Sequence, residues 1–339
     1  MAVELLDLEA RQLLERVQRG VPLAPRPWAE VARDLGSTEA RVLAHLTRLR
    51  DAGVVRHVGG IFDTRACGYA SALVAARVPP GALEAAATVL GAHPGVSHCY
   101  ERDHAWNLWF TLAVSPTSRL GLAGTAARLA ARAALEAWRL LPALRVYKIS
   151  ARFAFGAGSL DDAPPPAPAR LEPLTSEEVA VVRALQRPLA LVPNPFLEPA
   201  CRVGLDELTL LARARALAAR GVLRRFAALL HHRRAGFTAN VLVGWALPPQ
   251  RLDEAGQAAA ALAAVSHCYA RPVFPDWPYA LLTMVHGRSE RECLDAVDTL
   301  RARIRPDDLV LLWSGREFKK TRLELFTPAE AAWEAEVEP

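Results

Sequence analysis

Two halves of this chain carry the same landmarks in the same order. Pro25-Arg26-Pro27-Trp28, Gly36, Gly53-Val54-Val55-Arg56 and Gly68-Tyr69 return 168 residues later as Pro193-Asn194-Pro195-Phe196, Gly204, Gly221-Val222-Leu223-Arg224 and Gly236-Phe237. Further on, Val96-Ser97-His98-Cys99-Tyr100 returns after 169 residues as Val265-Ser266-His267-Cys268-Tyr269, and Arg145-Val146-Tyr147-Lys148 returns as Arg316-Glu317-Phe318-Lys319. A tandem duplication restricts the fold strongly, because a face left apolar in one copy finds a like face in the other to be buried against. Positions that differ between the copies mark where the halves have diverged in chemistry.

The length of 339 residues suits about two ordinary domains, and an apolar fraction of 52% is ample for two buried cores. No run approaches the roughly 18 apolar residues of a membrane span. The start, Met1-Ala2-Val3-Glu4-Leu5-Leu6-Asp7, is acidic where a signal peptide is basic, so the cytoplasm is the expected location. Five cysteines, Cys67, Cys99, Cys201, Cys268 and Cys293, without a C-x-x-C pair suggest neither a disulfide framework nor a zinc site, and read as buried thiols. The net charge of 41 − 36 = +5 mildly favours an anionic partner and decides nothing alone.

Within the first copy, Leu5 to Val17, Trp28 to Leu35 and Ser37 to Ala52 have helical spacing, with Ser37 as the expected cap of the third helix and Thr38 as the alternative. With the tight Gly36 turn they read as a helix-turn-helix. Val54 to Phe62, a turn and a strand from Tyr69 then read as a wing. Next come a strand (Ser71 to Val78), a helix (Pro80 to Ala92) and a hairpin (Val96 to Arg102, Leu108 to Val114). A helix from about Thr117 to Leu140 and a strand from Leu144 to Ala154 close the copy. This βαββαβ order is that of a ferredoxin-like sandwich. The expected class is therefore α+β, a tandem duplication of a winged helix-turn-helix plus a ferredoxin-like sandwich, forming a pseudo-dimer within one chain. The boundaries read as 1–69 and 70–155 for copy one, a Pro-rich linker over 156–173, 174–237 and 238–327 for copy two, and an acidic tail over 328–339 with a helical turn or two. The two sheets are expected to pair face to face.

A winged helix followed by such a sandwich resembles the leucine-responsive regulator (AsnC-like) superfamily. One branch is closer. Arg102-Asp103-His104-Ala105-Trp106-Asn107-Leu108-Trp109-Phe110-Thr111 resembles the first subunit type of siroheme decarboxylase. Arg224-Arg225-Phe226, His231-His232-Arg233-Arg234-Ala235-Gly236-Phe237, Asp276-Trp277-Pro278-Tyr279, Met284-Val285-His286-Gly287 and Phe318-Lys319-Lys320 resemble the second. The likeness covers nearly the whole chain. It implies a fused siroheme decarboxylase that turns the C12 and C18 acetates of siroheme into methyl groups without a dedicated organic cofactor, the iron tetrapyrrole being substrate. The product would feed heme d1 or the alternative heme route. One departure is Ala280 after Tyr279, where the second subunit type usually has asparagine.

Siroheme carries eight carboxylates around a flat apolar ring, so its site needs guanidinium or ammonium groups at the rim and aromatic walls. Arg56, Arg102 and Lys148 in copy one and Arg224, Arg225, Arg233, Arg271 and Lys319 in copy two supply the charge; solvated strand-edge charge is the plain alternative. Trp106 and Tyr279 are the aromatic candidates nearest the motifs. His104 has no counterpart in copy two, where Phe274-Pro275-Asp276 is inserted, and His232 stands where copy one has Thr64. The resemblance makes His104 and His232 the catalytic pair, handling a proton or polarising a carboxylate. His231 is a substitute for His232, and His57 stands at the position where copy two has Arg225, which fits carboxylate binding or simple exposure. His98 and His267, present in both copies, read either as an axial ligand of the substrate iron, a carboxylate partner or a satisfied core pair.

Two rivals follow from the same residues. A DNA-binding regulator would use Arg41, His45, Arg48 and Arg50 on the helix Glu39 to Arg50, but the copy-two helix Leu205 to Arg220 carries Leu208-Thr209-Leu210-Leu211-Ala212 instead. A two-fold operator reader presents two like helices, so DNA is disfavoured as a partner. A heme carrier without catalysis would use the same basic rim. A further homodimer of the fused chain is compatible with the sequence.

Overall fold

The computed structural model describes residues 7–79, 81–149, 172–230 and 239–337. The expected linker lies outside them except for its last two residues. The chain divides into two compact units, and each draws on both copies.

The first unit holds residues 1–69, 169–234 and 324–327. Copy one contributes α1 (Leu8–Arg19), α2 (Pro27–Asp34), α3 (Glu39–Asp51) and β1 (Val55–Phe62). Pro27 opens α2, where its missing N–H costs no hydrogen bond. The cap of α3 is Thr38, whose side chain accepts from the Arg41 amide, and not Ser37. Gly36 and its counterpart Gly204 take φ of +61° and +72°, a left-handed turn that favours glycine and accounts for its recurrence.

Between these positions the expected wing is not a local hairpin. β1 pairs antiparallel with β7 (Leu223–Leu230) of the other copy, in the register Val58↔Ala228 and Gly60↔Phe226. A two-stranded ribbon thus joins the halves. Copy two adds α6 (Ser176–Leu185), started by a full Thr175–Glu178 capping box, with α7 (Leu197–Arg202) and α8 (Glu207–Ala219).

The second unit holds residues 70–168, 235–323 and 328–339. Its elements are β2 (Ala70–Arg77), α4 (Leu83–Ala92), β3 (Val96–Arg102), β4 (Leu108–Val114), α5 (Gly121–Arg132), β5 (Ala137–Pro142) and β6 (Arg145–Ile149) from copy one. Copy two gives β8 (Ala239–Ala246), α9 (Leu252–Ala260), β9 (Val265–Ala270), β10 (Leu281–Gly287), α10 (Glu290–Ile304), β11 (Asp308–Lys320) and α11 (Pro328–Val337). The helix expected over 117–140 stops at Arg132 because Ala134 turns left-handed at φ +48°, and the apolar residues after it become β5. Copy two stops α10 in the same way, with Arg305 at φ +48°. Neither is a glycine, so the stop leaves no glycine signal in the sequence.

Nine strands form one sheet in the order β5-β2-β4-β3-β11-β8-β10-β9-β6. The long β11 pairs with β8 over Asp308–Trp313 and with β3 of the other copy from Ser314 on. Likewise the strand expected over 144–154 is β6, which pairs with β9 of copy two. Because β5 and β6 are adjacent in the chain yet stand at opposite ends of the order, the sheet wraps around on itself. The helices cover its outside with two separate apolar cores, one per copy. Inside lies a third core with residues of both copies, among them Ala75, Trp106, Trp109, Leu242, Trp277 and Leu312, so the two half-sheets do face each other.

The tail is more than the turn or two expected. As α11 it buries Glu330 and Glu334. Glu330 accepts from the Ser115 amide at 2.8 Å and Glu334 from the Arg119 amide at 3.1 Å, which holds the turn between β4 and α5. Trp333 sets its ring edge-on to buried His93 at 4.4 Å. Four of the five cysteines are buried as expected, and Cys201 is exposed. No described helix is long and apolar enough to cross a membrane.

Candidate active site

Strands β3 and β4 are joined by residues 103–107, a loop tied down at every step. The Arg102 amide donates to the Asn107 carbonyl at 2.9 Å, and the His104 amide donates to the Arg102 carbonyl at 2.9 Å. Asn107 spends both ends of its side chain on the Val78 backbone, accepting at 2.9 Å and donating at 3.0 Å. Trp109 Nε1 donates to the Trp106 carbonyl at 2.7 Å. The result is a rigid platform for His104. Its Nδ1 accepts from the Trp106 amide at 3.0 Å, so the neutral ring carries its proton on Nε2, which has no hydrogen-bond partner among the described residues. Burial pulls the His104 pKa below its usual value, with the Asp103 carboxylate opposing.

Copy two has a longer loop here, and it reaches across to the first. Phe274 and Trp277 exchange backbone hydrogen bonds, both at 2.9 Å. Asp276 is clamped by Arg139 of β5, Nε to Oδ1 at 2.9 Å and Nη2 to Oδ2 at 2.6 Å. This clamp seats the fully buried Trp277 edge-on against Trp109 at 5.2 Å, Trp106 at 6.1 Å, Tyr279 at 4.9 Å and His104 at 6.3 Å. Counted back from β4 and β10, Trp277 stands where copy one has His104, and Tyr279 where it has Trp106. The two loops therefore meet with unlike residues. Tyr279 donates to Asp308 at 3.0 Å, and burial together with that carboxylate pushes its pKa up to about 12. In place of Asn107, Ala280 gives up a backbone anchor, because the copy-one asparagine binds backbone.

Residues shared by the copies are placed differently. Arg102 and Arg271 are buried, and each donates to a carbonyl of the opposite copy: Arg102 to Leu312 at 3.3 Å and Arg271 to Leu141 at 2.6 Å. Burial lowers both to about 10, and each guanidinium lies over the tyrosine two residues before it, Tyr100 or Tyr269. Lys148 donates to the Leu262 carbonyl at 2.9 Å and Lys319 to the Gly91 carbonyl at 2.6 Å, closing the ends of α9 and α4. These four, expected at a substrate rim, stitch one copy to the other by reciprocal contacts.

His98 and His267 take matching places, each bonded at Nδ1 to the preceding serine, Ser97 at 2.9 Å and Ser266 at 2.8 Å. Ser266 also meets His286 Nε2 at 2.8 Å. Burial, then His286 and His98, lowers His267 to about 4. Burial also lowers His98. Among the described residues no group of three His, Cys, Asp or Glu side chains is placed to hold a metal ion.

On the ribbon of the first unit, Arg56 is exposed, His57 and Arg225 are half-buried, and Arg224 pairs with Asp63 at 3.1 Å. His231, His232 and Arg233 lie outside the described residues. An open cleft of about 600 Å³ beside α1 and α2 is lined by Gln12, Glu15, Arg16, Arg19, Asp34 and Leu35. Its Arg16 and Asp34 already pair at 2.7 Å and it has no aromatic wall, which does not suit a flat polycarboxylate. Arg77 and Arg139, which the sequence motifs did not single out, lie over the ring of Trp106, while Trp277, part of the Asp276-Trp277-Pro278-Tyr279 motif, meets His104; the absence of an arginine at the matching positions Ala246 and Val310 was the available signal for the two arginines.

The helical regions 10–56 and 178–224 match the model of the siroheme decarboxylase NirDL-like HTH domain, and 66–148 and 234–319 match the AsnC-like ligand binding domain. The siroheme decarboxylase of Hydrogenobacter thermophilus is 36% identical over 325 residues, 96% of this chain and 97% of that one. A crystal structure of the siroheme decarboxylase NirDL superposes with a TM-score of 0.81 at 34% identity, covering 97% of this chain and 98% of the other. Another, in co-complex with an iron-uroporphyrin III analogue, gives 0.80 at the same identity and coverage. The chain belongs to the siroheme decarboxylase family, in the fused form that carries both halves in one polypeptide.

Proposed function

We propose that His104 and His232 are the residues through which this chain decarboxylates siroheme. The chain is a carboxy-lyase, and its reaction converts the C12 and C18 acetates to methyl groups. In each event the bond between the methylene carbon and the carboxylate breaks, the electron pair passes into the conjugated ring, CO2 leaves, and one proton adds to the carbon. The ring itself accepts the pair, so the reading includes no organic cofactor, and the iron enters as part of the substrate.

One observation carries the assignment of His104: it is a half-buried imidazole with one nitrogen fixed and the other unbonded, set among the residues that break the internal symmetry. Its Nε2–H suits delivery of a proton to the carbon from which CO2 leaves. His232 is its proposed complement from copy two. Arg56, His57, Arg225, His231 and Arg233 are proposed to hold substrate carboxylates, with Trp106 and Tyr279 as aromatic wall. DNA is not proposed as a partner: Arg41 of α3 is engaged by Glu9 at 2.8 Å, and Arg213 of α8 by Glu177 at 2.8 Å. Incubating the purified chain anaerobically with siroheme tests the reading, with loss of two CO2 expected and intact siroheme the contrary result.

A further inference from the structure

Arg77 ends β2 on the face that looks into the inner core, since Ala75 on that face belongs to it and the alternate residues Val74 and Ala76 belong to the outer core. The side chain is exposed, and its guanidinium carbon stands 5.2 Å from the centre of the Trp106 ring. Arg139, on the neighbouring strand β5, lies 5.5 Å from the same ring. The two differ in what they do. Arg139 is spent on both oxygens of Asp276, whereas Arg77 has no protein acceptor at hydrogen-bond distance among the described residues. Asp276 is near enough to feel Arg77 electrostatically, but its hydrogen bonds come from Arg139.

The backbone around Arg77 is fixed as firmly as that around His104, and by the same loop. Asn107 binds both backbone groups of Val78, the next residue, and the Arg77 carbonyl accepts from the Glu136 amide at 3.0 Å. Trp106 gives its amide to His104 and its ring face to Arg77. One residue therefore sets the spacing between an unbonded imidazole nitrogen and an unengaged guanidinium. The matching position in copy two is Ala246, which is buried, so the arginine is found on this side alone.

We propose that Arg77 binds a carboxylate of the substrate that is retained in the product, next to the acetate that reacts at His104. This rests on the decarboxylase reading above. The retained carboxylate follows from charge movement. As CO2 leaves, negative charge passes from the carboxylate into the ring, so a guanidinium on the reacting group would stabilise substrate over transition state and slow the step. A guanidinium on a neighbouring carboxylate holds the ring in place in both states. It lowers KM and leaves kcat alone.

The test is an absorbance titration with iron uroporphyrin III, alongside anaerobic siroheme turnover, for the wild type, Arg77→Ala and Arg77→Lys. Loss of one charge-assisted hydrogen bond predicts about a 10-fold or larger rise in Kd and KM for Arg77→Ala, with kcat within about threefold. Arg77→Lys should recover a substantial part of the affinity. Because the side chain is exposed, unchanged circular dichroism is expected. An Arg77→Ala Kd within twofold of wild type, or a fall in kcat at unchanged Kd, overturns the proposal. Failure of the wild type to release CO2 would instead sink the decarboxylase reading, and the titration would still decide whether Arg77 binds the carboxylates.

Discussion

Trp106 donates its backbone amide to Nδ1 of His104 at 3.0 Å, which leaves the proton of the neutral imidazole on the opposite nitrogen. A functional group is thus oriented by a backbone that is itself held by Arg102 and Asn107. His104→Ala should lower kcat by about 10²- to 10⁴-fold, the usual worth of a positioned proton-handling group. Iron uroporphyrin III binding should stay within about threefold. Single-turnover siroheme conversion and an absorbance titration read the two quantities separately.

Arg102 and Arg271 are matched residues in reciprocal contact with the opposite copy, so their effects should be matched as well. Replacing either by Ala leaves a buried carbonyl without its donor and removes packed stem atoms, at a cost of about 2–3 kcal/mol. Urea unfolding is the measurement. The two variants should agree within about 1 kcal/mol, and neither should raise KM as Arg77→Ala does.

Much of this architecture is legible in the sequence, for a physical reason: helix spacing, turn glycines and strand alternation are local. The bounds of β3 and β4 follow from short β-prone runs flanking a turn, and the helix-turn-helix from helical spacing around Gly36. Pairing partners are not local. Residues 54–62 and 144–154 read as strands, but a strand of one copy and its counterpart in the other present near-equivalent edges, and only the folded chain shows that each pairs across the duplication. The overlong helix over 117–140 has a similar origin, since Ala134 ends it without a glycine. In the site, His104 is legible through its mismatch with copy two. Arg102, Arg271, Lys148 and Lys319 recur between the copies, and recurrence alone does not separate residues that bind substrate from residues that, like these, reach carbonyls of the opposite copy.

Acid should destabilise the fold through its buried histidines. Burial holds His93 and His267 at about 4, against 6.5 for an unperturbed imidazole. The unfolded chain therefore takes up protons first as pH falls, and stability that is fully present above 6.5 is lost progressively toward 4. At about 1.4 kcal/mol per pKa unit the loss amounts to a few kcal/mol for each histidine. Thermal unfolding should show a Tm level from pH 8 to about 6.5 and falling below it, with a shallower fall in His93→Asn.

Ending the chain at Thr327 removes the hydrogen bonds that Glu330 and Glu334 accept from the turn before α5, and the Trp333 ring against His93. Hydrogen bonds to a charged group are worth about 1.5–3 kcal/mol each, and at about 2–4 °C per kcal/mol for a unit of this size the Tm should fall by several degrees. Glu334→Gln should fall between wild type and the truncation. A truncated chain as stable as the whole would show that α11 anchors nothing of consequence.

The central claim, that the unmatched imidazole at His104 performs the chemistry, is tested most directly by mass spectrometry of the tetrapyrrole after anaerobic incubation with siroheme. The account predicts loss of two CO2 with the wild type and, over the same time, siroheme left essentially unconverted by His104→Ala. Wild-type conversion by His104→Ala would contradict it.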